Sequence, residues 1–451
     1  MGSLATRPPL PTGPLLVVGL ARSGEAAARM LVERGERVVA VDSGTPALAA
    51  GLRDVGVEVH LDAEGTELLD RVTTLIKSPG VPDHAPVVRG ARERGIPVLG
   101  ELELAWRALP NPIVAVTGTN GKTTVVEWLG HVWREAARPV AVAGNVGTPL
   151  SSLVGEIDAG VTIVCECSSF QLGDTSAFAP EVAVLLNVTP DHLDRHDSFE
   201  AYRDAKLRIF AGQRESDFSI FDADLTAFAA SDRLGNGATI AYGASACAEG
   251  GCLVRIRNGV LEANGRPLVE LDQLALGGEH NARNAMAVTA AALCSGIPAE
   301  AIASGLRSFG GVPHRLERIG EIDGVTFVND SKATNVAAAD AALRSFDGGV
   351  HAILGGSLKG GGFRGLAAAV GERCRAAYLI GEAAPALARD LADAGVELVQ
   401  SGTLERAVAD AAAASRAGET VLLAPACASF DAFRDYEHRG ERFRELVGGL
   451  R

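Results

Sequence analysis

Lys122, Thr123 and Thr124 follow the run Gly118-Thr119-Asn120-Gly121, and the apolar stretch Ile113–Val116 precedes it. Glycines let a backbone curl until its N–H groups converge, and a helix starting at that turn adds the positive end of its dipole. A lysine at such a turn neutralises terminal phosphates, and a neighbouring hydroxyl ligates Mg²⁺. Strand, glycine loop, Lys-Thr and helix therefore make a cradle for a nucleoside triphosphate, built from Gly118, Thr119, Asn120, Gly121, Lys122, Thr123 and Thr124. The usual spacing asks for a glycine five places before Gly121, where Val116 stands, so the loop departs from the common form.

Other residues could serve the same chemistry. Glu166 ends the apolar run Val161–Cys165, where α/β folds place an oxygen ligand for Mg²⁺; with Ser168 and Ser169 following, it could equally be a helix N-terminal charge. Val182–Asn187 reads as a strand that opens into a polar stretch containing His192, a candidate by its cleft position, although a lone histidine is more often structural. Lys206 falls near the middle of an amphipathic helix over 202–210 and, taken alone, is a solvated lysine. Asn281 and Asn284 share a helix face and suit either an adenine edge or a cap. Gly19-x-Ala21-x-x-Gly24, followed by a strand ending at Asp42, is a degenerate dinucleotide turn that predicts a nucleotide diphosphate near Gly19–Gly24 and a ribose or base near Asp42.

These residues need a layered scaffold. The chain has 451 residues, 47% hydrophobic and only 5% aromatic, which suits about three α/β domains. Strand-like runs alternate with helical ones in the first third and again from Val325 to Leu423. Residues 213–270 read as strands and turns without evident chemistry. Ala108–Pro112 is a linker, and Gly310–Pro313 reads as a hinge. The net charge of −14 repels nucleic acid, so any anionic substrate needs local cations such as Lys122, Lys206, Arg315, Lys332 and Lys359. No apolar run approaches the roughly 18 residues that span a bilayer, and the N-terminus lacks signal-peptide features. Seven cysteines without a metal-type spacing fit reduced thiols, so the expectation is a cytoplasmic protein with no membrane insertion.

Nine strings together carry a resemblance: GTNGKTT at 118–124, GNVG at 144–147, ECSSFQL at 166–172, NVTPDHLDRH at 187–196, YRDAKLRIF at 202–210, GEHNARNA at 278–285, PHRLE at 313–317, NDSKATN at 329–335 and PACASFD at 425–431. Over nearly its whole length the chain resembles the Mur ligases, and SPGVP at 78–82 brings it nearest to the branch that adds D-glutamate. That resemblance implies an α/β fold in three domains: a Rossmann-like UDP-sugar domain (1–110), a central P-loop-type ATPase with a parallel sheet (111–312), and a C-terminal Rossmann-like domain for the amino acid (313–451).

It further implies a monomer that uses ATP and two Mg²⁺ ions to join UDP-MurNAc-L-Ala to D-glutamate. Residue by residue, Lys122, His192 and Lys206 become catalytic; Thr123, Glu166, His192 and Lys206 serve the metals, Lys206 as a carbamate; and Asn281, Arg315 and Asp330 contact ATP. Gly19, Arg22, Ser23, Asp42, Ser78, Gly80, Asn145 and Ser168 bind the UDP sugar, and Lys332, Thr334, Lys359, Ser429 and Tyr436 grip the incoming amino acid. Ser357-Leu358 stands where the resembling enzymes carry Asp-Gly, and Ala21-Arg22 alters the nucleotide turn. The alternatives are another Mur ligase or a folylpolyglutamate-type synthetase with a different acceptor, a nicotinamide dehydrogenase built on Gly19–Asp42, and a non-catalytic nucleotide-binding regulator. The absence of a DNPR string weighs against the diaminopimelate-adding branch.

Overall fold

Three sheets follow from the buried apolar runs. The computed structural model describes residues 7–192, 195–225, 235–243, 253–358 and 362–450. Two compact units divide the chain, Met1–Phe309 and Gly310–Arg451. The first unit holds two sheets and the second holds one.

The first sheet comprises Leu15–Val18 (β1), Val38–Asp42 (β2), Glu58–Leu61 (β3), Thr74–Lys77 (β4) and Val98–Gly100 (β5). Its order is β3-β2-β1-β4-β5, all parallel. The order reverses between β1 and β4, which opens a crevice at their carboxyl ends, where open α/β sheets bind ligands. Leu15–Val18 is buried along its whole length, as a strand covered on both faces must be.

The second sheet has Ile113–Thr117 (β6), Val140–Gly144 (β7), Thr162–Glu166 (β8), Val182–Leu185 (β9), Phe218–Asp222 (β10), Ala238–Tyr242 (β11), Val254–Arg257 (β12), Val260–Ala263 (β13) and Arg266–Glu270 (β14), in the order β14-β13-β12-β11-β10-β9-β6-β8-β7. The expected parallel sheet is found from β7 through β11, whereas β12, β13 and β14 form an antiparallel meander on its far edge. Two-residue turns at Asn258-Gly259 and Asn264-Gly265, all four residues at positive φ, connect that meander, as tight hairpins require. Trp106, Phe178, Tyr202 and Phe210 anchor the core on one face.

In the second unit, Glu317–Ile322 (β15), Val325–Asn329 (β16), Val350–Gly355 (β17), Cys374–Ile380 (β18), Glu397–Gly402 (β19) and Thr420–Leu423 (β20) run in the order β15-β16-β20-β17-β18-β19. Only β15 is antiparallel to its neighbour. No helix among the described residues is long and apolar enough to cross a membrane.

Candidate active site

The glycine loop leaves β6 and enters the helix Lys122–Glu135 through Gly121, at φ 84°. A β-carbon on Gly121 would lie 2.7 Å from Asn284 Oδ1, so only glycine suits that place. Asn187, just past β9, braces the loop: its Oδ1 accepts from Asn120 N at 2.8 Å, and its Nδ2 donates to Asn120 O at 3.1 Å. Lys122 Nζ donates to the carbonyls of Gly118 and Thr119, both at 2.9 Å.

Lys206 Nζ donates to the same Gly118 carbonyl at 2.8 Å and lies 4.5 Å above the Tyr202 ring. Its helix runs Phe199–Ala211, N-capped by Ser198. The solvated lysine that its helix suggested is in fact 1% exposed. Burial, and then the Lys122 charge, push its ammonium down to about 7. Around neutrality Lys206 is thus partly an uncharged amine, and a nucleophilic one.

Thr123 Oγ1 donates to Glu166 Oε2 at 2.8 Å, and Asn145 Nδ2 donates to Glu166 Oε1 at 3.0 Å. A buried hydroxyl–carboxylate pair beside a phosphate loop offers the hard oxygen donors that Mg²⁺ prefers, so these residues fit that ion. Among the described residues no group of three or more His, Cys, Asp or Glu is arranged to hold a metal. An ion there would complete its shell with phosphate and water, as Mg²⁺ commonly does. Glu166 is also distinct from the helix cap: that helix, Ser169–Gly173, is capped by Ser168, whose hydroxyl accepts from Gln171 N.

His192, at φ 52°, pairs with Asp191 at 3.6 Å, with ring centroids 5.3 Å from Phe170 and 6.3 Å from Tyr202. Tyr202 Oη in turn lies 3.1 Å from Thr119 Oγ1, so the histidine loop reaches the phosphate loop through Tyr202. Asn281 Nδ2 donates to Gly277 O at 2.9 Å, so its amide closes on the turn before its own helix, Glu279–Cys294, whose start has no side-chain cap. Thr124 is half-buried on the first helical turn.

A cavity of about 630 Å³ lies at the β1/β4 switch point. Seven of the predicted UDP-sugar residues line it: Gly19, Arg22, Ser23, Asp42, Ser78, Gly80 and Asn145. Ser168 does not line it, but bonds Gln171, which does. Gly24 is required by packing, since a β-carbon there would lie 1.7 Å from Gly19 O. The Asp42 carboxylate accepts from Leu20 N at 2.6 Å and Gly44 N at 2.8 Å, so it first holds its own turn.

In the second unit the predicted residues gather at the carboxyl ends of β16, β17 and β20. Asp330 Oδ1 accepts from Leu316 N at 3.2 Å, holding the loop of Arg315; burial lifts its carboxyl to about 6. Lys332 N donates to His314 O at 3.0 Å, and Thr334 N to Lys332 O at 2.8 Å. Ser429 is buried, and Tyr436 opens the helix Tyr436–Gly448. Ser357, in the departing position, accepts at Oγ from Phe430 N at 2.9 Å, and so tethers the Ser429 loop. Lys359 lies outside the described residues.

Three family models match this chain: the Mur ligase MurD-like N-terminal domain over 14–100, the Mur ligase middle domain over 116–292, and the Mur ligase glutamate ligase domain over 314–427. The chain belongs to the Mur ligase family. The UDP-N-acetylmuramoylalanine–D-glutamate ligase of Acidobacterium capsulatum is 43% identical over 445 residues, 96% of this chain and 95% of the relative. The enzyme of the same name from Pelotomaculum thermopropionicum is 40% identical, over 97% of this chain and 98% of its own. Among solved structures, UDP-N-acetylmuramate-alanine ligase of Thermotoga maritima shares the fold at a TM-score of 0.55 and 19% identity, covering 97% of this chain and 99% of that one. The MurF ligase of Thermotoga maritima, solved with ADP, gives 0.53 at 19% identity with 100% of both chains covered.

In this Mur ligase the sequence overlooked Gln171 and His84 in the cavity wall and Tyr202 as the link to Thr119. Gln171 had a signal, three places after Ser168 in a capping-box spacing. The Lys206 environment gives a measurable consequence. Its folded value of about 7 lies below the ordinary 10.5, so between these values the unfolded chain binds the extra proton. Stability contributed by this site therefore rises with pH across that window. Lys206→Met should remove that slope, as seen by comparing thermal unfolding of both proteins at about pH 7 and about pH 10; equal slopes would show the amine to be solvated.

Proposed function

We propose that this Mur ligase adds D-glutamate to UDP-N-acetylmuramoyl-L-alanine, consuming ATP through an acyl phosphate. The observation that carries this reading is the near-full-length relationship to enzymes of that name, 43% identical in the first case. The hydrogen-bonded run from Asn145 in the cavity through Glu166 to Thr123 supports it, because it ties a pocket suited to a diphosphate sugar to the phosphate loop.

On a division into domains 1–110, 111–312 and 313–451, the glycine loop holds the ATP phosphates by its backbone N–H groups, and Lys122 meets the charge building on the transferred phosphoryl. Thr123 and Glu166 would hold one Mg²⁺, and His192 with Lys206 would serve a second. Bound Mg²⁺ would offset negative charge on the phosphates. Lys206, as an uncharged amine, is suited to capture CO₂, and the resulting carbamate would turn a cation beside Lys122 into an anion. The substrate carboxylate attacks the γ-phosphorus and ADP leaves. The D-glutamate amine then attacks the acyl carbon, phosphate departs and an amide remains. Lys332, Thr334, Lys359, Ser429 and Tyr436 would hold the carboxylates of the amino acid. Mass spectrometry of the uridine product tests the reading: a mass gain of one glutamyl residue, with one ADP per product, is expected, and ADP formed without that gain would overturn it.

A further inference from the structure

Only five of the 42 basic residues are lysines: Lys77, Lys122, Lys206, Lys332 and Lys359. The last four are the lysines already considered above for ATP, metal or amino-acid binding. Lys77 belongs to none of them. A chain that otherwise uses arginine keeps lysine where a compact ammonium fits and a planar guanidinium does not. Lys77 ends β4 and is 2% exposed; its Nζ donates to Asp174 Oδ2 at 2.7 Å and lies 3.2 Å from Asp83 Oδ1. Asp174 follows the helix Ser169–Gly173 of the second sheet's layer, and its side chain is only 3% exposed. Its carbonyl also accepts from Gly100 N, at the end of β5, at 3.0 Å.

One residue of the second sheet's layer thus receives the carboxyl ends of two strands of the first. The neighbours on each side are cavity residues. Ser78, next to Lys77, lines the cavity and donates to Gly19 O at 2.6 Å, while Gln171, three places before Asp174, lines it from the other layer. The pair thus ties together the two layers that both contribute residues to the cavity, and Asn145 of the same cavity bonds Glu166 beside the phosphate loop.

We propose that Lys77 and Asp174 are a positioning pair that fixes the register between the sugar-nucleotide cavity and the phosphate loop, and so the distance from the substrate carboxylate to the γ-phosphate. The inference rests on the ligase reading above. A charged hydrogen bond is directional, so it sets register where apolar packing would only hold the layers together. Misplacing reactants by about 1 Å costs roughly 100-fold in rate.

The test combines steady-state kinetics, thermal unfolding and calorimetric binding of ADP and UDP for Asp174→Asn, Lys77→Met and the double variant K77M/D174L. Asp174→Asn keeps the shape and is expected to lower kcat by about 100-fold with ADP and UDP affinities unchanged. Lys77→Met strands a buried carboxylate and should lower Tm, and the apolar double variant should restore Tm while kcat stays low. Recovery of kcat together with Tm in the double variant, or wild-type kcat in Asp174→Asn, would overturn the proposal. Wild-type protein that yields no glutamyl product would instead remove the ligase reading, and the pair's role with it.

Discussion

Replacing Lys122 by alanine is expected to lower D-glutamate-dependent phosphate release by about 1,000-fold or more, since a preorganised charge that meets developing negative charge in a dry site supplies several kcal/mol. The Lys122 ammonium hangs over the loop on the carbonyls of Gly118 and Thr119, at the mouth of the turn where terminal phosphates would lie. Lys122→Arg should fail to rescue, because a planar fork cannot take the place of a compact point charge on those two carbonyls. A second readout follows from the shared Gly118 carbonyl. The Lys122 charge is one cause of the lowered Lys206 value, so Lys122→Ala should move the Lys206 titration upward. Phosphate release measured with saturating ATP checks the first effect; a loss smaller than about tenfold would show that the ammonium does not meet the reacting phosphate.

Arg439→Ala should destabilise the second unit by about 4 kcal/mol or more, the largest structural effect expected from a single change. Arg439 is 0% exposed and makes its bonds to neutral groups. Its Nε donates to Ser331 Oγ at 3.0 Å, its Nη2 to the Ser331 and Cys427 carbonyls at 2.9 and 3.1 Å, and its Nη1 to the Ala428 carbonyl at 3.1 Å. Burial depresses its guanidinium to about 10, still charged at neutral pH. Two strand-end loops, 329–335 and 425–431, meet on this one side chain, and its loss leaves buried carbonyls without donors. Lysine cannot replace a five-donor fork, so Arg439→Lys should be nearly as costly. Urea unfolding followed by a probe in the second unit measures it; a change within about 1 kcal/mol would mean that water replaces the guanidinium.

What the sequence disclosed was local. The phosphate turn, its lysine and the apolar run before it lie within a dozen residues, and strand, loop and helix formed where that pattern placed them. The β1 turn was a weaker signal, because Ala21 replaces the middle glycine, and the packing that demands Gly24 came only with the fold. Contacts between distant segments were not legible. Lys77 and Asp174 stand 97 residues apart, and Arg439 and Ser331 stand 108 apart; nothing in the neighbourhood of either residue announces its partner. Burial misled the reading of Lys206, because a helix with lysine near its middle normally turns that lysine to water, and only the tertiary fold turns it toward Gly118. The meander of β12 to β14 went unread as a sheet edge, since its strands have four or five residues and carry no chemistry.

The most direct test of the central claim is phosphate release from ATP and Mg²⁺ in the presence of UDP-MurNAc-L-Ala, with D-glutamate, L-glutamate, L-alanine, L-lysine and meso-diaminopimelate offered in turn. Release with D-glutamate alone is the predicted result. Release with another acceptor, or with none of them, would contradict it.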